Sequence, residues 1–249
     1  MNKIDKIYLI NLEKRKDRLD HFIEECKREN VDLNKIQIFK GLDAEKYNLK
    51  DSEIVLFSKN MDINTYTGKA CACNQLGHYY IFMDMIKNNY DMCLIFQDDA
   101  RLKKDFIKDL EMVIKNIPED SEIVWLGLHK VAVLSLFEDF PIDGEYEPYY
   151  IKNKINQNEY VSVYKDDINP ASLAYILTKK GAVNYIEYIK KTKFNNVTDE
   201  NFNKYLIDNN KMYGSSKILV TGNSKFKSDI FKYDNNALER EMMELLDFE

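Results

Sequence analysis

The chain is organised around Met92-Cys93-Leu94-Ile95-Phe96-Gln97-Asp98-Asp99-Ala100-Arg101. Met92 to Phe96 is an uninterrupted apolar run, preceded by the polar Asn88-Asn89-Tyr90-Asp91. A short apolar run between polar breakers reads as a strand buried on both faces. It stops at Gln97-Asp98-Asp99. Lys103 to Asn116 then reads as a helix, with Phe106, Leu110, Val113 and Ile114 on one face and Pro118 beyond its end. Two carboxylates therefore stand at the carboxyl end of a buried strand. Open α/β sheets bind ligands at that edge. Paired oxygen ligands there suit a hard divalent cation that bridges phosphate oxygens. The plain alternative is that Asp98 and Asp99 end the strand and cap the helix.

The same pattern recurs on either side. Lys6 to Leu12 reads as a second buried strand, followed by Glu13-Lys14-Arg15-Lys16-Asp17-Arg18 and a helix bearing Leu19, Phe22, Ile23 and Cys26. The turn lacks the glycines of a dinucleotide fingerprint or a Walker loop. Arg15 and Arg18 could meet a diphosphate with side chains instead. The plain alternative is a solvated basic helix start, but cations there oppose the helix dipole, which favours an anion nearby. Lys35–Phe39 and Glu122–Leu128 add strands, and Asn74 is placed as the cap of a helix carrying Leu76, Tyr80, Met83 and Ile86. Tyr160–Tyr164, Ser172–Leu177 and Lys217–Val220 read as later strands. Lys179–Lys191 and Asp199–Asn209 read as helices. Strands alternating with helices predict an α/β fold with a central, mostly parallel sheet flanked by helices.

The chain has 249 residues and no repeat, so residues 1–249 are expected to form a single domain. Residues 236–249 would add an amphipathic terminal helix, a core element or a homodimer contact. Apolar residues make up 45% and charged residues 31%, a globular balance. A net charge of −6 gives no overall attraction to nucleic acid. With neither a transmembrane run nor a signal peptide visible, the expected location is cytoplasmic. Cys26, Cys71, Cys73 and Cys93 are expected to be reduced and mostly buried. Residues 137–150 mix Tyr and Phe with Asp and Glu, which suits either a surface loop or a wall for sugar rings.

Several separated motifs resemble glycosyltransferase family 25, the lipooligosaccharide and collagen galactosyltransferase group. They are Ile7-Tyr8-Leu9-Ile10-Asn11-Leu12 with Arg15 and Arg18, Leu94 to Ala100, Val124 to Gly127, Ala174 to Leu177 with Gly181-Ala182, Asp199, and Ser228-Asp229-Ile230. The family usually carries Glu where this chain has Gln97, and Ser-His where it has Gly77-His78. The resemblance implies a glycosyltransferase A-type, Rossmann-like fold whose first half binds the nucleotide-sugar and whose second half faces the acceptor, a UDP-sugar donor, Mn2+ or Mg2+, and displacement with inversion. The reaction expected from it moves galactose or glucose to a hydroxyl on a glycan or a hydroxylysine-type protein acceptor. Asn11, Leu12, Arg15, Arg18, Asp98 and Gly127 are then expected to hold the nucleotide, and Asp99, Asp98 and Asp229 the metal. A metal-bound carboxylate is a weak base, so the proton acceptor is sought elsewhere. Asp199 leads, followed by Glu200, with Asp166 and Asp167 behind them. Asp at a helix start is also ordinary capping chemistry. One rival reading is a non-catalytic nucleotide-sugar or carbohydrate-binding module that kept the fold. Another is a phosphatase or phosphotransferase, although Arg101 stands where such sites usually have Thr or Val.

Overall fold

The computed structural model describes residues 3–128, 154–156, 158–164, 172–209, 212–223, 226 and 228–230. The acidic aromatic stretch 137–150, Asp166-Asp167 and the terminal helix expected within 236–249 lie outside these residues. Among the described residues the strands are β1 (Lys6–Asn11), β2 (Ile36–Lys40), β3 (Met92–Gln97), β4 (Ala100–Leu102), β5 (Ile123–Trp125) and β6 (Gly127–Leu128). They continue with β7 (Lys154–Asn156), β8 (Val161–Tyr164), β9 (Ala174–Thr178), β10 (Tyr213–Ser215) and β11 (Val220–Gly222). The helices are α1 (Lys16–Arg28), α2 (Asp51–Ile54), α3 (Tyr66–Lys87), α4 (Phe106–Asn116), α5 (Lys179–Thr192) and α6 (Thr198–Asp208).

Eight strands form one sheet in the order β2-β1-β3-β9-β5-β10-β8-β7. Side chains on successive residues of a strand point to opposite faces. Tyr8, Ile10, Cys93, Ile95, Trp125 and Tyr175 thus pack with α3, α5 and α6. Ile7, Leu9, Leu94, Phe96, Val124 and Ile176 pack with α1 and α4. Helices covering both faces explain why these strands read as continuous apolar runs. All four cysteines are buried and free. No described helix is long and apolar enough to cross a membrane.

Within the eight-stranded sheet, among the described residues, parallel pairing is confined to β1 with β2, β1 with β3 and β5 with β10. The sheet is mixed rather than mostly parallel, because β9 lies between β3 and β5 and runs antiparallel to both. A strand buried on both faces has the same apolar signature in either direction, so the sequence did not reveal this reversal.

Three other expectations shift. The run from Glu122 to Leu128 is split at Leu126: β5 stays in the large sheet, while β6 joins β4 and β11 in a three-stranded sheet. Asn74 caps nothing, since α3 begins at Tyr66 and Thr65 Oγ1 accepts a bond from the Gly68 amide. Finally, β4 intervenes between Asp98-Asp99 and α4, so the two carboxylates sit in a strand-to-strand turn and not at a helix start.

Candidate functional site

Register brings the site together. In the parallel β1–β3 pair Ile10 lies beside Gln97, so the next residues, Asn11 and Asp98, leave the sheet as neighbours. Asn11 Nδ2 donates to Asp98 Oδ2 at 2.7 Å and to the Arg15 carbonyl at 3.0 Å. Arg18, from the first turn of α1, donates through its Nη1 to Asp98 Oδ1 at 2.9 Å and lies 3.4 Å from Asp99 Oδ2. Burial raises the pKa of the Asp98 carboxyl, as does the nearby charge of Asp99, while Arg18 and Asn11 pull it down. The cations of the α1 start face carboxylates of the chain itself, an anion the sequence reading had sought in a ligand.

Asp229 completes the cluster from the far end of the chain. It pairs with Arg15, and its Oδ2 stands 3.5 Å from Arg18 Nη2. Tyr66, opening α3, donates its hydroxyl to the Asp229 carbonyl at 2.9 Å. The Phe226 ring lies 5.6 Å from the Arg15 guanidinium carbon and 5.4 Å from that of Arg18, within cation–π range. Asn223 donates its amide to the Asp99 carbonyl at 2.8 Å, tying the Asp98-Asp99 turn to the end of β11.

Arg18, Tyr66, Asp98, Asp99, Asn223, Phe226 and Asp229 line a cavity of about 410 Å³, while Asn11 and Arg15 are not among its lining residues. Arg18, Asp98, Asp99, Lys14 and Asp229 give it a charged part. Ile10, Leu12, Leu42, Ala44, Ala70 and Ile230 give it an apolar part, and Asn74, Gly77, Gln97, Ser172 and Asp199 a polar part. Asp199 is the second residue of α6 and does not cap it; its Oδ1 accepts the Ser172 amide at 2.7 Å. Glu200 is exposed, bonds the Asn196 side chain and is not among the lining residues. Gly127 is not among them either. A Cβ there would collide with the Val220 backbone, so this glycine lets β6 and β11 approach. Gln97 donates to Ser172 Oγ at 2.6 Å and stands 3.4 Å from His78 Nε2. His78 is wholly buried against the Tyr175 hydroxyl, 2.6 Å from its Nδ1, and burial pushes its pKa down to about 3.

Among the described residues no three His, Cys, Asp or Glu side chains are grouped to hold a metal on their own. The donors present fit a cation shared with a ligand. Both Asp98 oxygens already accept bonds, and Asp229 Oδ2 faces two guanidinium groups. Asp99 Oδ1 is buried and accepts no hydrogen bond among the described residues. A buried, unpartnered carboxylate oxygen is costly. Mg2+-type sites commonly use one or two carboxylates and complete their shell with substrate phosphates and water.

The sequence reading had not singled out Tyr66, Ser172, Asn223 or Phe226. Only Phe226 carried a visible signal, an aromatic residue alone in the polar run Asn223 to Asp229.

Comparison with known proteins adds the following. A family model described as glycosyltransferase family 25 (LPS biosynthesis protein) matches residues 4–206. The chain is 24% identical over 136 residues to human procollagen galactosyltransferase 2, a match covering 52% of this chain and 21% of that protein. The mouse protein of the same name is 22% identical over 136 residues, with the same coverage. A putative glycosyltransferase of Acanthamoeba polyphaga mimivirus is 25% identical over 124 residues, covering 49% of this chain and 37% of the viral protein. These matches thus span well under half the length of each relative.

Proposed function

The chain belongs to glycosyltransferase family 25, and from that membership we propose that it moves a hexose from a UDP-sugar to a hydroxyl acceptor, with inversion. The observation that carries the proposal is the strand-end cluster in which Arg18, Asp98 and Asp99 line the cavity and Asn11 bonds Asp98, with Asp99 Oδ1 unpartnered among the described residues. Arg15, Arg18 and Lys14 supply cations beside which a diphosphate can settle. Asn11 and Arg18 hold Asp98 in place, and Leu12 offers its backbone to the nucleotide. Mn2+ or Mg2+, held through Asp99, with Asp98 and Asp229 beside it, would offset diphosphate charge as UDP departs. The mammalian relatives are named for transferring galactose, which supports galactose as the sugar, with glucose as its epimeric alternative.

In this reading the acceptor oxygen bonds to the anomeric carbon as the bond from that carbon to the diphosphate oxygen breaks. The acceptor's proton passes to the carboxylate of Asp199. The Ser172 amide orients that carboxylate. Asp199 is preferred to Glu200 because it lies on the cavity wall.

A panel of UDP-sugars, assayed for release of free sugar with and without Mn2+, tests the proposal. Metal-stimulated hydrolysis of UDP-galactose or UDP-glucose is expected. UDP binding without hydrolysis of any donor and without transfer would favour a binding module that kept the fold.

A further inference from the structure

Gly77 lies buried in the interior of α3, a 22-residue helix. Glycine weakens a helix interior because it surrenders the most backbone freedom on folding. Two structural needs commonly justify it, a left-handed backbone or close approach of another chain segment. Gly77 answers neither. Its backbone is not left-handed, and a Cβ built on it would meet no atom within 4 Å, whereas at Gly68, Gly127 and Gly181 a Cβ would run into backbone. What the missing side chain leaves is open space in the cavity, which Gly77 lines.

The neighbours define what that space can take. Asn74 lies one turn earlier on α3, and Gln97, Ser172 and Asp199 stand on the adjoining wall. Amides, a hydroxyl and a carboxylate can donate to and accept from sugar hydroxyls. The Gln97 amide is fixed by Ser172 Oγ at 2.6 Å, with the buried ring of His78 behind it. The charged part of the cavity adjoins the other end of the same helix stripe, where Tyr66 bonds Asp229. Tyr66 and Gly77 are eleven residues apart, roughly 16 Å along a helix. Gln97 and Asp98, adjacent in the chain, join the two parts.

We propose that the wall at Gly77 seats the transferred hexose ring, and that the absence of a side chain there decides which donor sugars enter. This rests on the UDP-sugar reading above. The test is calorimetric titration of the full chain and of Gly77→Ala and Gly77→Leu with UDP, UDP-galactose and UDP-glucose. Alanine favours the helix, so it keeps the test valid should leucine disturb folding. UDP affinity should stay within about twofold in both variants. Affinity for the preferred UDP-hexose should fall severalfold in Gly77→Ala and at least about tenfold in Gly77→Leu. Unchanged UDP-hexose affinity in the folded variants, with UDP still bound, would overturn this inference alone. Wild-type protein that binds no UDP would overturn the donor reading and this inference with it.

Discussion

Asp199 shows how one side chain can be read two ways. A carboxylate at a helix start ordinarily caps it, yet α6 has no side-chain cap and Asp199 instead holds the Ser172 amide beside the cavity. Asp199→Asn keeps an oxygen for that amide and removes the basic site. Transfer should fall roughly 100-fold or more, with UDP binding unchanged. Transfer within a few-fold of wild type would return the residue to a structural role. His78 supports a prediction in pH. Its folded pKa of about 3 lies below the ordinary 6.5 because burial disfavours the charged ring. As pH falls below 6.5 the unfolded chain binds a proton that the folded one refuses, so stability is lost from 6.5 down to about 3. Between about pH 7.5 and about pH 5 this amounts to about 2 kcal/mol. Urea unfolding of His78→Gln should lack that share of the loss, and equal losses in both proteins would show that the ring is not held neutral. The residues that bring charge to the site were legible, because Arg15, Arg18, Asp98 and Asp99 flank apolar runs. Asn223 and Ser172 were not, since their roles come from backbone amides and a hydroxyl placed by distant segments.

α3 lines the cavity, β9 begins just after Ser172 and Leu173 on its wall, and both elements were read imperfectly. α3 starts eight residues before Asn74, and its first turns carry Gly68 and two cysteines, which hide the helical period. Those turns supply Tyr66, Ala70 and Cys73 to the cavity. β9 fills the gap between β3 and β5, then passes directly into α5, which packs on α3. α6 is locked onto this layer by Phe202. Its ring is stacked on Phe82 at a centroid distance of 5.8 Å and lies 4.8 Å from Tyr185, with Trp125 and Tyr175 also in contact. Phe202 is wholly buried, so Phe202→Ala should cost about 3–5 kcal/mol in urea unfolding. Because α6 carries Asp199, the same variant should lose transfer even where it remains folded. A loss below about 1 kcal/mol would mean that α6 is not anchored through this ring.

Across the whole molecule, the carboxyl ends of β1 and β3 gather residues separated by more than 200 positions, from Leu12 to Asp229, around one cavity. The α/β class and the strand-end site could be read from apolar runs and the charges that stop them. The reversal of β9 and the second small sheet could not, because strand direction and partner choice leave no mark in the pattern of a strand buried on both faces. On the proposed reading, local cations would let a chain of net charge −6 seat an anionic nucleotide. The central claim is that this cluster binds a nucleoside diphosphate together with a divalent cation shared through Asp99. The most direct measurement is calorimetric titration of UDP into wild-type protein and Asp99→Asn, each with and without Mn2+. One UDP per chain is expected, bound at least about tenfold more tightly with Mn2+ in the wild type and with little metal dependence in the variant. Absence of UDP binding, or wild-type binding indifferent to Mn2+, would contradict it.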